Sequence, residues 1–204
     1  MMIEKIVIIG GGQASLSCAS QLRSLGFKGD ICMICEENYY PYQRPPLSKK
    51  FLTGQFLEER LLLKKVDYYK NNNIQVLLSK KATKIDRDNK KVHLQSGEKI
   101  DYTKLVIAIG SKAKKAPLSD CDNYSNAYYL RNLHDAKNLK NELHTGKKIL
   151  IIGGGYLGLE VASVCSSFGM NTTVVEGAER ILKRVAGEPT AAYFREIFSI
   201  KGVK

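Results

Sequence analysis

A few residues in this chain have the types and spacing of redox or nucleotide chemistry. Cys32 and Cys35, in the stretch CMICE, have the C-x-x-C spacing of a redox dithiol. Gly153, Gly155 and Gly158, in GGGYLG, fit G-x-G-x-x-G, and Glu176 follows roughly twenty residues further on. In that pattern the first glycine permits a tight turn and the second lets backbone amides approach a pyrophosphate. The third lets a helix pack closely on a strand, and the acid bonds a ribose diol. Gly10 and Gly12, in GGGQAS, repeat the pattern with Ser15 at the third position and Glu36 as the acid. The candidate chemistries are thus thiol–disulfide exchange and dinucleotide binding, and the CMICE stretch borders on both.

The elements that must position these residues come from an internal echo. IVIIGGGQASLSCASQLRSLG, residues 6–26, aligns without a gap on ILIIGGGYLGLEVASVCSSFG, residues 149–169. Each copy opens with four aliphatic residues, as a strand buried on both faces does. Three glycines follow, then small and apolar residues at helical spacing, then Gly26 or Gly169 at a position suited to a helix C-cap. A second apolar run, DICMICE or TTVVE, completes strand, turn, helix, strand. The expected fold class is α/β with two Rossmann-like βαβ units on parallel sheets. Between the copies, IQVLL, TKID, KVHL and EKI read as strands, and LVIAIG at 105–110 as another buried parallel strand. Residues 111–147 read as a polar connection with a helix near DAKNLKNELH.

This frame decides the cysteine question. On a strand over 31–36, Cys32 and Cys35 are an odd number of residues apart and point to opposite faces. Their Cα atoms then lie ~10 Å apart at ~3.3 Å per residue, beyond the ~7 Å limit for a disulfide. They are expected to be core thiols, leaving Glu36 as the functional residue of the stretch. For both acids the competing reading is an ordinary solvated carboxylate at a strand end.

The 204 residues are 44% apolar, enough for a packed core, and no apolar run approaches the ~18 residues of a membrane helix. Five scattered cysteines do not suggest a secreted disulfide framework, and a reducing, cytoplasmic setting is expected. The formal charge of +12 comes from lysine pairs spread along the chain, which read as solvated faces. Tyrosine pairs lie in separate segments, so aromatic and basic residues are not interleaved as in single-strand binders. Neither nucleic acid nor membrane is expected as a partner, whereas an acidic protein partner is open. No metal-ligand set is read.

One further segment identifies a family. In PYQRPPLSKKFL, residues 41–52, Arg44-Pro45-Pro46 must be extended before a helix that Pro46 could start, with Ser48 and Lys49 in its first turn. The whole string resembles the PY-x-RPPLSK signature of the FAD-dependent ferredoxin reductases that serve ring-hydroxylating dioxygenases and bacterial cytochromes P450. LVIAIGS resembles that family's strand ending in Ala-Thr-Gly, with Ile109 in place of threonine. YYLRNLHDA and IIGGGYLGLEVA followed by VVEGAERILKRV resemble further segments of it, in order, so the resemblance covers essentially the whole chain.

The resemblance implies a glutathione-reductase-type FAD/NAD(P) architecture without that enzyme's redox disulfide. It implies an FAD-binding domain over 1–112, then a linker and an NAD(P)-binding domain over 113–204. FAD contacts fall to Gly10, Gly12, Ala14, Glu36, Lys49, Ala82 and Arg131; NADH contacts fall to Gly153, Gly155, Tyr156, Gly158, Glu160 and Glu176. It places Lys49 beside flavin N5 and Glu160 near the nicotinamide, where the two could form an ion pair. The competing reading of Glu160 is an acid stabilising a helix N-terminal turn. The implied activity is hydride transfer from NADH to FAD, then single electrons to a ferredoxin-like iron–sulfur protein or a rubredoxin. Glu176 favours NADH over NADPH, since a carboxylate repels a 2′-phosphate; Arg180 lies close to it in sequence. Members of that family are longer, so the chain is expected to correspond to their N-terminal half, with the nicotinamide domain incomplete at its C-terminus. Three other readings stand beside this one: a non-catalytic nucleotide-binding module, a flavoprotein related to nitrite reductase or apoptosis-inducing factor, and a basic interaction module. The glycine turns argue against the last.

Overall fold

Both βαβ units form. A computed structural model describes residues 4–116 and 123–204; Cys121 and the middle of the polar connection lie outside the described residues. The chain divides into two units, one holding the chain up to Gln43 together with Glu59–Ser111, the other holding Arg44–Glu58 and the chain from Lys112 on.

In the first unit, strand β1 (Lys5–Ile9), helix α1 (Gln13–Ser24) and strand β2 (Asp30–Ile34) form the first copy of the echo, with β1 and β2 parallel. Helix α2 (Val66–Asn71) leads to β3 (Ile74–Leu77). A meander of β4 (Ala82–Asp86), β5 (Lys91–Leu94) and β6 (Lys99–Asp101) precedes β7 (Lys104–Ile107). The parallel sheet runs β3-β2-β1-β7, and β4-β5-β6 make a separate antiparallel sheet. Alternation along β1 and β2 sends side chains to both faces. Ile6, Ile8, Ile31, Met33 and Cys35 pack with Leu16 and Ala19 of α1 and Tyr69 of α2. Val7, Ile9, Cys32 and Ile34 pack on the other face with Val92, Leu94 and Ile100 of the meander. The two cysteines thus lie on opposite faces, as the odd spacing requires, and both are free thiols.

LVIAIG departs from expectation. It is parallel to β1, but it stands at the edge of the sheet, and Ile107 and Ile109 are exposed. Burial of a strand's faces depends on what packs over them: Val106 and Leu105 reach the two opposite core clusters, but Ile107 further along is left uncovered. At the other end of the unit, Arg23 donates to the carbonyls of Phe27, Gly29, Asn72 and Asn73, tying the end of α1 to the turn before β3. Gly26 follows the helix at φ +84°, the left-handed conformation of a glycine C-cap.

The second unit begins with residues 44–58, which a division at residue 112 assigns to the first. They cluster here because Leu52, fully buried, packs with Leu139, Leu143, Val161, Val164, Cys165 and Met170. The expectation that Arg44-Pro45-Pro46 is extended before a helix holding Lys49 fails: Arg44 is already in the right-handed helical region, the two prolines open a short 3-10 turn, Pro45–Ser48, and Lys49 closes it. Helix α3 (Leu133–Lys140) starts at a capping box made by Asn132 and Asp135. Strand β8 (Lys148–Ile152), helix α4 (Tyr156–Ser167) and strand β9 (Asn171–Val175) form the second copy, β8 and β9 again parallel, before helix α5 (Glu188–Ile200). Ile149 and Ile151 pack into the α4 cluster, whereas Leu150 and Ile152 are exposed. The expectation of burial on both faces fails for β8: α4 covers one face of this two-stranded sheet. Among the described residues, no helix is long and apolar enough to cross a membrane.

Candidate functional site

The first glycine turn is built by close approach. Gly10 sits at φ +134° with its N–H bonded to the Ile34 carbonyl at 2.9 Å. A Cβ there would stand 2.1 Å from the Ala108 carbonyl oxygen, so only glycine fits. Gly12 caps α1 with extended backbone and no side-chain cap, and a Cβ on it would meet open space. Ala14, small and exposed, is the second helical residue, and the first turn carries no acid. The leading amides therefore face an uncrowded approach, the condition for an anion at a helix N-terminus. Ser15 is fully buried against Gly10, and its hydroxyl has no hydrogen-bond partner. Beneath the turn, the Cys35 thiol lies 3.8 Å from the Gly10 carbonyl that accepts from it, and a Cβ on Gly11 would come within 2.9 Å of its sulfur. Burial pushes Cys35 up to about 12 and Cys32 up to about 11, so both stay protonated at neutral pH. Cys35 thus fills space under the turn rather than exchanging electrons.

Glu36, just past β2, is exposed and pairs with Lys81 at 2.7 Å. Lysine at this position carried no signal that it would meet Glu36. An exposed pair of this kind contributes at most ~1 kcal/mol, little enough for a ribose diol to displace. Ala82 opens β4 opposite Leu94 and packs on the meander side of the core.

The second turn repeats the first with the third glycine in place. The Gly153 N–H bonds the Val175 carbonyl at 2.8 Å, and Gly153 sits at φ +112°. Gly155 caps α4 with open space where a Cβ would be. A Cβ on Gly158 would fall 1.9 Å from the Gly153 carbonyl oxygen, so helix and turn meet here as close-packed backbone. Tyr156, the first helical residue, is largely exposed beside the cap. Glu176 is folded back onto the turn, accepting from the Ala178 N–H at 2.8 Å and the Gly154 N–H at 2.7 Å. These two amides hold its carboxyl below the usual glutamate range. Arg180 points elsewhere, pairing with Glu188 at 2.8 Å and donating to the Ala186 carbonyl.

A third cluster lies within the second unit. Lys49 Nζ stands 2.7 Å from Glu160 Oε1, and the Ser48 hydroxyl donates to Glu160 Oε2 at 2.5 Å. Glu160 lies beyond the first turn of α4, so it is not a helix-end acid; its carboxylate is held from both sides by the Pro45–Ser48 turn and its closing residue. Arg131 belongs to the same unit: its carbonyl accepts from Arg44, and its N–H donates to Asp135.

The candidate residues thus fall into separate groups. Gly10, Gly12, Ala14, Glu36 and Ala82 lie in the first unit; Lys49, Arg131 and the residues assigned to NADH lie in the second. Sequence reasoning missed Ser48 as a partner of Glu160 and the Gly154 amide as a partner of Glu176. Neither contact had a local signal: Ser48 and Glu160 lie 112 positions apart, and Gly154 and Glu176 lie 22 apart.

Two glycine turns, each opening a twelve-residue helix with an uncovered cap, define an α/β protein with two dinucleotide-type cradles. The chain belongs to the pyridine nucleotide-disulphide oxidoreductase family, whose model matches residues 4–204. It is 39% identical over 198 residues to a rubredoxin–NAD(+) reductase from Pseudomonas putida, covering 97% of this chain and 51% of that protein. It is 35% identical over 202 residues to the putidaredoxin reductase of Pseudomonas putida, covering 98% of this chain and 48% of that one. The crystal structure of a covalent putidaredoxin reductase–putidaredoxin complex superposes with a TM-score of 0.94 at 35% identity, covering 98% of this chain and 49% of that one. The chain therefore spans about half the length of the curated relatives it matches.

Proposed function

We propose that this chain carries the FAD- and NADH-binding units of a ferredoxin-reductase-type oxidoreductase, with FAD on residues 1–112 and NADH on 113–204. The observation that carries this reading is the paired geometry of Gly12 and Gly155, two helix caps left open where a Cβ would meet nothing. When bound, NADH supplies a hydride, FAD accepts it, and the two electrons leave singly to a one-electron carrier. The protein's part is to bind and orient. Helix N-terminal amides of α1 and α4 take the pyrophosphates. Glu36 and Glu176 take the adenosine riboses, and Gly10 and Gly153 keep side chains out of the turns. Lys49 and Glu160, already paired, stand at the reacting end.

An acidic ferredoxin-like iron–sulfur protein or rubredoxin is the proposed acceptor, supported by the +12 charge and by the acceptors named for the relatives. A cytoplasmic setting is supported by the four described cysteines being free thiols. The test is direct: the purified chain incubated with FAD and desalted is expected to be yellow and to bleach anaerobically with NADH. A protein that binds nucleotide without bleaching would leave the non-catalytic nucleotide-binding module, and one that binds neither nucleotide would overturn the reading in favour of the basic interaction module.

A further inference from the structure

Lys49 is not the only group holding Glu160. Ser48 is buried, 3% exposed, and its hydroxyl donates to Glu160 Oε2, while the exposed Lys49 ammonium takes Oε1. The two contacts differ in kind. Lys49 is 48% exposed at its side chain, on a flexible stem, and can leave Glu160 for another acceptor. Ser48 cannot follow such a movement. Its hydroxyl sits at the end of a turn whose backbone is fixed by Pro45 and Pro46, by the Leu47 N–H to the Arg44 carbonyl and by the Lys49 N–H to the Pro46 carbonyl. Leu47 beside it is equally buried.

We propose that Ser48 is a positioning residue: it fixes the carboxylate of Glu160 at the nicotinamide end of the NADH cradle independently of Lys49, so that Glu160 keeps its pose whenever Lys49 changes partner. This rests on the reading of Glu160 as a nicotinamide-side residue. A short hydrogen bond to an ionised acceptor is among the stronger neutral-donor contacts, and a buried hydroxyl donor has no competing water. Without it, the carboxylate is held by one mobile cation and samples several rotamers. NADH affinity then falls, whereas the adenosine and pyrophosphate contacts made by Gly153, Gly155 and Glu176 are untouched.

The experiment compares two probes on the full 204-residue chain. NADH carries the nicotinamide; ADP-ribose lacks it and reports only on the glycine turn. Binding of each is measured for wild type, Ser48→Ala, Glu160→Ala and the double variant. The expected result is about fivefold weaker NADH binding for Ser48→Ala, unchanged ADP-ribose binding, and a double variant no weaker than Glu160→Ala. Three results overturn the proposal while leaving the reading of Glu160 intact: wild-type NADH affinity in Ser48→Ala, equal loss of both probes in Ser48→Ala, or multiplied effects in the double variant. If Glu160→Ala binds NADH as wild type does, the placement of the nicotinamide fails and the role of Ser48 falls with it.

Discussion

Lys49 and Glu160 meet at 2.7 Å within one unit, the lysine at the end of a proline-built turn and the acid on the helix that opens at the second glycine turn. Neither helix nor turn alone could hold the pair. Replacement of Lys49 by Met keeps the length of the side chain and removes the charge. Flavin reduction by NADH, followed by stopped-flow absorbance in the FAD-loaded chain, is expected to slow by about tenfold to a hundredfold. Stability is expected to change by less than ~1 kcal/mol, because the lysine is half exposed and Glu160 keeps its bond from Ser48. An unchanged reduction rate would refute the assigned role.

Glu176 gives two expectations. The Glu176 carboxylate lies on the turn and Arg180 is committed to Glu188, which leaves Arg184 as the cation acting on Glu176. NADH is expected to bind at least about tenfold more tightly than NADPH, and Glu176→Ala to narrow that ratio. Equal affinities in the wild type would be inconsistent with this arrangement.

The same residue sets a pH dependence. Its two amide bonds favour the ionised form, so the folded-state value lies below the unfolded value of about 4.3. The stabilisation is complete above the unfolded value and is lost as pH falls through the folded one. Urea unfolding of wild type and Glu176→Gln is expected to differ most near neutrality and to converge in acid. A gap that widens below pH ~4 would reverse the sign.

Ser15 occupies the place of a third glycine with an unpartnered, buried hydroxyl. Burying such a group costs ~1–3 kcal/mol. Ser15→Ala keeps the Cβ and removes the orphan oxygen, and is expected to raise stability by about 1 kcal/mol in urea titrations. A loss of more than that would mean the hydroxyl holds something together.

Cys32, Cys35 and Cys165 are buried, with burial raising them to about 11, about 12 and about 11. A thiol reagent at pH 8 is expected to leave all three unmodified in the native chain and to label them once urea unfolds it. A Cys32–Cys35 disulfide recovered from native protein by mass spectrometry would contradict their placement on opposite faces.

The βαβ units were legible because short-range patterns carry them: four aliphatics, glycines at fixed offsets and helical spacing, with Gly10 and Gly153 at the positive φ that the turn demands. The opposite facing of Cys32 and Cys35 followed from parity alone. Burial of LVIAIG and of both faces of β8 was not legible in the same way, because what covers a strand depends on neighbours distant in sequence. Among the site residues, those on the glycine turns were readable from spacing. The Glu160–Ser48 bond and the Glu36–Lys81 pair were not, since each depends on a contact between distant segments that no local rule encodes.

The excursion of residues 44–58 into the second unit has a consequence for how the molecule comes into being. Leu52 finds its core only when Leu139, Val161 and Cys165 are available, and the Ser48–Glu160 bond closes a loop of 112 residues. Closing so long a loop costs chain entropy before any contact repays it. During synthesis the turn is made well before its partners, so the folded packing of Leu52 has to await α4. The two units are therefore not beads built from successive stretches of chain: the second needs a piece made near the beginning as well as α4.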